Sequence, residues 1–311
     1  MWYYSANDYY KKTFGHKMYK LSLSGGTTCP NRDGSKGVGG CIFCSEGGSG
    51  DFSESLYDQD YGTAIEKAKK RVSGKTGEEC GYIAYFQSYT STYMPACRFE
   101  NMISSALNDD GIEAVSVATR ADCLGEDILE ILRKANEKKK VFVEIGLQTI
   151  HEKTAKLINR CYELDEYTQA VKRLHDIGIN VITHVILGLP GETKEMMKET
   201  VEFVGRYSDG IKLQLLHVIK NTALETMYCN GDFQVPDMDE YIDLLCECIE
   251  LLPKNVVIHR LTGDAPKKLL VAPAWSADKK KVINSVRRAF LQRDIQQGRL
   301  SEQWRQPQSD Q

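Results

Sequence analysis

Val181-Ile182-Thr183-His184-Val185-Ile186-Leu187-Gly188-Leu189-Pro190-Gly191-Glu192-Thr193 reads as one strand and its exit turn. The first seven residues are rich in β-branched side chains, as a buried strand requires. Glycine and proline then stop it, and Thr193 stands where a helix N-cap belongs. Thr193–Tyr207 follows with helical spacing. The same unit recurs on both sides. Strand-like runs lie at Tyr19–Leu23, Gly81–Phe86, Ala114–Ala118, Val141–Ile145 and Ile211–Leu216, and helical spacing at Tyr61–Val72, Arg98–Leu107, Glu126–Asn136 and Asp165–Ile177. Six such repeats predict an α/β fold with a parallel sheet. Periodicity does not separate a doubly wound sheet from a barrel, and six units fall short of the eight that close one.

Composition narrows the class. The 311 residues are 41% hydrophobic and 27% charged with net charge −3, which gives no global attraction to nucleic acid. No run reaches about 18 apolar residues, and Met1–Asp8 lacks a basic and an apolar signal region. The expectation is a cytoplasmic protein with no membrane partner. In that setting ten cysteines read as metal-binding, catalytic or buried thiols.

Three of them share one glycine-rich stretch after the first strand, Cys29, Cys41 and Cys44. A structural zinc site wants four protein ligands, with His16 or Cys80 as the distant fourth here. An iron–sulfur cluster held by three thiolates leaves one iron open for chemistry. On the residues alone both stand. Other candidates gather at strand ends, where α/β folds place their ligands. These are Gln87 and Ser88 after the second strand, Arg120 and Asp122 after the third, Gln148 after the fourth and Gly188 after the fifth; Glu144 and His184 lie within strands. No glycine run has dinucleotide-fingerprint spacing.

The chain resembles the radical S-adenosylmethionine (SAM) enzymes, and among them the YhcC/YtqA type, relatives of the radical SAM subunit of Elongator. The resemblance runs from about Phe14 to about Gly298. It rests on Cys29-Pro30-Asn31-Arg32-Asp33-Gly34, Gly40-Cys41-Ile42-Phe43-Cys44, Leu157-Ile158-Asn159-Arg160, Thr183–Thr193 and Arg260-Leu261-Thr262-Gly263-Asp264. It implies a partial (β/α)6 barrel over 1–225, with a cluster-binding loop at 24–50. A small C-terminal α/β extension follows over 226–311, its tail disordered after about 299. It implies a [4Fe-4S] cluster on Cys29, Cys41 and Cys44, SAM on the open iron, and reductive cleavage of SAM to a 5′-deoxyadenosyl radical.

Further roles come from the same resemblance. Gln87, Ser88, Arg120, Glu144, Gln148, Arg160 and Gly188 are the implied SAM contacts, with Arg160 on the SAM carboxylate and Glu144 and Gln148 on ribose and methionine. Where relatives carry Gly-Gly-Glu after the second strand, this chain has Phe86-Gln87-Ser88-Tyr89-Thr90. Cys97 and Cys123 follow strand ends and are the candidate hydrogen-atom donors; Cys246 and Cys248 face different sides of a helix at Met238–Leu252. A one-electron reductant such as flavodoxin or ferredoxin is implied. Between Lys254 and Arg299 eleven Lys or Arg stand against three acids, a local charge of about +8 that suits tRNA phosphates. A radical enzyme acting on a small metabolite or peptide, and a zinc-stabilised RNA-binding module, are the competing functions.

Overall fold

The structure, a computed structural model, describes residues 2–48, 53, 60–75 and 80–301. The tail beyond 301, part of the segment expected to be disordered, lies outside the described residues, as do residues 49 and 50 of the cysteine loop. Six strands follow one another in the chain: β1 (Lys17–Leu23), β2 (Cys80–Phe86), β3 (Ile112–Thr119), β4 (Lys140–Gln148), β5 (Asn180–Leu187) and β6 (Gly210–Leu215). Each pairs in parallel with the next. The sheet has a seventh parallel strand, β8 (Val257–Arg260), drawn from the C-terminal part and paired with β6. The short β7 (Val218–Ile219) and β9 (Leu270–Ala272) form a separate antiparallel pair. The architecture is a curled parallel half-barrel with helices outside, the α/β class that the strand repeats predict.

The outer helices are α2 (Tyr61–Val72), α3 (Ala96–Leu107), α4 (Glu126–Lys138), α6 (Leu164–Asp176) and α7 (Lys194–Tyr207). Their positions follow from local chemistry. The Thr193 side chain caps α7 by accepting from the Met196 N–H, and α7 buries Met197, Val201 and Val204 on one stripe. Periodicity alone missed α1 (Ala6–Phe14) and α5 (Glu152–Leu157), both short, and β8, which is four residues long. Around the extension lie α8 (Ala223–Cys229), α9 (Met238–Leu251) and α10 (Lys279–Gln292).

Period-2 alternation stacks the inward side chains in layers. Met18, Ile83, Ala114, Phe142 and Ile182 form the lowest layer, sealed from below by Tyr10 of α1. Two residues further along each strand stand Lys20, Tyr85, Ser116, Glu144 and His184, a polar layer inside an apolar sheet. The far edge of β8 is covered by the N-terminal segment, where the Ile258 N–H donates to the Tyr4 carbonyl at 2.8 Å.

Candidate active site

The strands enclose one large cavity of about 870 Å³ that opens at their carboxyl ends. Its rim carries Cys29, Cys41 and Cys44, its depth carries Lys20, Tyr85, Glu144, His184 and Lys212, and residues 263–267 together with Ser276, Ala277 and Lys279 of the extension supply part of its wall.

The loop after β1 is clasped by the segment after α5. Asn159, in the left-handed region at φ 56°, donates from Nδ2 to the Gly40 carbonyl at 2.8 Å. Asn31 reaches back from Nδ2 to the Asn159 carbonyl and lies 3.5 Å from the Cys41 sulfur. The Ile42 N–H donates to the Ile158 carbonyl at 3.2 Å. Arg32 spans the cysteines from the other side, donating to the Cys44 and Ser45 carbonyls at 3.1 and 2.5 Å. Gly40 has φ 84°, and a Cβ there would sit 2.9 Å from the Arg32 Nε, so this turn requires glycine. The Leu157–Arg160 motif thus builds the cysteine loop.

Burial pushes the Cys41 thiol up to about 12, with Cys44 and Cys29 adding to the rise and Arg120 opposing it. Thiols that resist joint ionisation become thiolates when metal supplies the positive charge. Among the described residues, no three His, Cys, Asp or Glu side chains converge on a single-ion position. A four-iron cluster asks for something else, since each thiolate binds a different iron. The proposed fourth zinc ligands stand at the wrong end. His16 precedes β1 and pairs with Glu113 at 2.7 Å, and Cys80 begins β2. Seven residues of strand put them roughly 20 Å from the cysteine loop. The three thiols, the glycine turn and the Asn31 amide beside Cys41 fit a cluster.

Arg120 also lines the cavity. It is no surface pair: it forks onto Asp122 with two 2.9 Å bonds, donates to the Arg160 carbonyl, and Asp122 is fully buried. Burial opposes its charge, but Asp122 raises its pKa above the usual value. Arg160 is 1% exposed and every guanidinium nitrogen already has a partner. Nε donates to the Tyr162 carbonyl, Nη1 to the Leu147 and Thr149 carbonyls, and Nη2 to Glu152. This residue, implied as the SAM carboxylate partner, acts in the fold as the clamp that holds the exit of β4.

Glu144, implied as a ribose contact, is saturated too. Oε1 accepts from Lys20 at 2.5 Å and Ser116 at 2.7 Å; Oε2 accepts from Tyr85 at 2.9 Å, His184 at 2.7 Å and Lys212. A carboxylate has about four lone-pair sites, so no acceptor is left for a ribose hydroxyl. Burial would raise its pKa, but Lys20, Lys212 and His184 outweigh that and hold it well below the usual range. Gln148 does project into the cavity, because a register shift between Gly146 and Gln148 turns it at φ 67°. Gln87 lines the cavity as well, with Nε2 3.1 Å from the Ser53 hydroxyl.

Four candidates do not line the cavity. Ser88 is buried, with its carbonyl facing the Thr27 hydroxyl at 3.5 Å. Gly188, at φ 96°, packs against Pro236. Cys97 is exposed on α3. Cys123 lies beside Asp122, and burial pushes its thiol up to about 12. Lys212 and His259 line the cavity and escaped motif reading, while Lys20, Tyr85 and Arg260 line it without having been assigned a role in binding SAM. A signal was present, since Lys20, Glu144, His184 and Lys212 are ionisable residues at interior positions of their strands.

The histidines give the site a pH signature. Burial pushes His184 and His217 down to about 4, Lys212 adding to the effect on His184. Their folded pKa values are depressed, so folded protein binds fewer protons between about 4 and about 6.5. Stability is full above the unfolded value and falls as pH drops toward 4, by up to about 3 kcal/mol per histidine. Denaturant midpoints should therefore fall over that window, and His184→Gln should flatten the fall. A midpoint constant from about pH 7 to about pH 4 would refute this.

Comparison with known proteins decides the family. The family model described as Radical SAM superfamily matches residues 25–204, and the Radical_SAM C-terminal domain model matches 208–292. The chain belongs to the radical SAM superfamily. YtqA of Bacillus subtilis (strain 168) is 40% identical over 96% of this chain and 92% of its own length. A tRNA uridine(34) acetyltransferase of Methanocaldococcus jannaschii is 28% identical over 51% of this chain and 29% of its own. Among solved structures, the Methanocaldococcus infernus Elp3 with an N-terminal deletion superposes with TM-score 0.68 at 17% identity, over 90% of this chain and 64% of that one, which shows a shared fold. Radical SAM proteins are enzymes, and family membership implies SAM and a [4Fe-4S] cluster. No helix among the described residues is long and apolar enough to cross a membrane.

Proposed function

We propose that Cys29, Cys41 and Cys44 hold a [4Fe-4S] cluster and that the enzyme cleaves SAM in the cavity beneath it. The carrying observation is that the three cysteines share one rim of an 870 Å³ cavity with Arg120 and Gln148. When bound, the cluster supplies the electron that breaks a carbon–sulfur bond of SAM. The chain's own residues do the rest. Arg120, with Asp122 behind it, offers a fixed positive charge to the SAM carboxylate, whereas the bonds Arg160 makes within the chain engage four of its five N–H donors. Gln87 and Gln148 offer amides to its polar groups. Asn31 and the glycine turn hold the sulfurs in place. Tyr10 and the apolar layer around it close the barrel below the cavity. A flavodoxin or ferredoxin is the proposed electron donor, and Val38, 79% exposed on the cysteine loop, suits such a surface contact.

For the substrate we favour RNA, specifically tRNA. The support is the similarity to a tRNA uridine(34) acetyltransferase, together with Lys280, Lys281, Arg287 and Arg288 exposed along α10. Neutralising phosphates gives binding that weakens steeply with salt. Filter binding of bulk tRNA should show that slope, and Arg287→Glu with Arg288→Glu should weaken it at least about tenfold. Absent or salt-independent binding would exclude tRNA and favour a small substrate.

A further inference from the structure

The polar layer at the bottom of the cavity exceeds what a buried carboxylate needs. One cation satisfies one anion, yet Glu144 has Lys20 and Lys212 on its two oxygens, and Arg260 lines the same cavity. Both ammonium groups also lie 4.6 Å from the centre of the Tyr85 ring, one contributed by β1 and one by β6. An ammonium has three N–H donors. Among the described residues, the bonds to Glu144 and Tyr85 engage two on Lys212, and those to Glu144 and Tyr10 engage two on Lys20, leaving one on each. Over the whole cavity wall, Glu144 and Asp264 are the acids against eight lysines and arginines. Asp264 is paired both to Lys279 at 2.6 Å and to Arg260 at 3.6 Å, which leaves Lys20 and Lys212 sharing Glu144 as their one acid.

Depth separates this layer from the cysteines. Gln148 at the rim is four residues along β4 from Glu144, roughly 13 Å at the rise of a strand. On the reading that SAM lies at the rim, the floor is left for a second ligand. We infer that Lys20 and Lys212 bind an anionic oxyacid group of the substrate, a carboxylate or phosphate, at the floor of the barrel. Glu144 is the positioning residue: it holds both ammonium groups around the Tyr85 ring, and its own oxygens are saturated. The substrate thus enters the barrel acid end first, with its reacting part held between that acid group and the rim. The lysines differ in charge state: burial drives Lys212 down to about 7, while Glu144 outweighs burial and raises Lys20. An arriving anion completes the protonation of Lys212.

The test reads lysine reactivity, so it is independent of SAM cleavage. Cluster-loaded, full-length protein is treated anaerobically with acetic anhydride in the presence of malonate, inorganic phosphate or neutral malonamide at matched ionic strength. Acetylation at Lys20 and Lys212 is read by peptide mass spectrometry. Malonate or phosphate should lower acetylation of Lys212 at least about tenfold and malonamide should not; whichever anion protects names the group. In Lys212→Gln, which retains a donor for Glu144, protection of Lys20 should be lost. Equal acetylation under all conditions, or equal protection by malonamide, overturns the inference. A lysine that the reagent never reaches also overturns it, because the reagent is about as large as the anions. Each of these results leaves the cluster and SAM assignment standing, and a failure to cleave SAM leaves this one standing.

Discussion

Replacing Cys29, Cys41 or Cys44 by Ala, one at a time, should reduce reductive SAM cleavage to the level of a protein-free control. Each thiolate holds a different iron, so two cannot do the work of three. The three should also behave alike, because the loop that carries them is one clasped unit. Asn31 and Asn159 tie the residues around Cys41 to the Ile158–Arg160 segment, and Arg32 ties Cys44 and Ser45 to the same loop. Iron and sulfide content should fall with the activity, while the thermal unfolding of the cluster-free protein stays close to wild type. That second readout matters, since the sulfurs are at the rim and the hydrophobic core lies under the helices. Cys246→Ala and Cys248→Ala, both buried on different sides of α9, should leave iron content unchanged. A Cys41→Ala protein that keeps its iron and its activity would put the cluster elsewhere.

Glu144→Ala should cost about 3–5 kcal/mol of stability, measured as a fall in the denaturant midpoint. It leaves the Lys20 and Lys212 ammonium groups and the Tyr85 and Ser116 hydroxyls without their common acceptor. Lys212 limits the loss. Its pKa is already depressed to about 7, so without Glu144 it sheds its proton and does not persist as a buried charge. Glu144→Gln retains the shape and one acceptor oxygen, and should cost less. A loss below about 1 kcal/mol for Glu144→Ala would mean that the network is solvated and that each member finds water.

How much of this was legible in the sequence depends on the length of the signal. The strands β1 to β6 are short, largely buried runs, with β3, β4 and β5 rich in β-branched residues, and the helices between them carry a stripe wide enough to read, so the parallel α/β sheet follows from periodicity. α5 and β8 are too short for any period to register. The cysteine triad was visible because its three residues are near one another in sequence. The floor of the cavity was not, because Lys20, Tyr85, Glu144, His184 and Lys212 come from five strands and meet only through the curl of the sheet. What the strands did show was an ionisable residue at an interior position, Lys20, Glu144, His184 or Lys212, which costs too much to bury without a partner. Arg160 shows the opposite limit. Its place in a motif suggested a ligand, but which groups a guanidinium meets is set by the turn around it, and here that turn supplies three carbonyls and Glu152.

The central claim is a cluster held at three corners, with its fourth iron open to SAM in the cavity. The most direct measurement is the electron paramagnetic resonance spectrum of the dithionite-reduced, reconstituted protein before and after SAM is added. The signal of a reduced four-iron cluster should appear and change in shape on addition of SAM, in wild type and in Lys212→Gln. It should be absent in Cys41→Ala. Protein that takes up one equivalent of zinc with no such signal, or whose cluster signal is indifferent to SAM, would contradict the account.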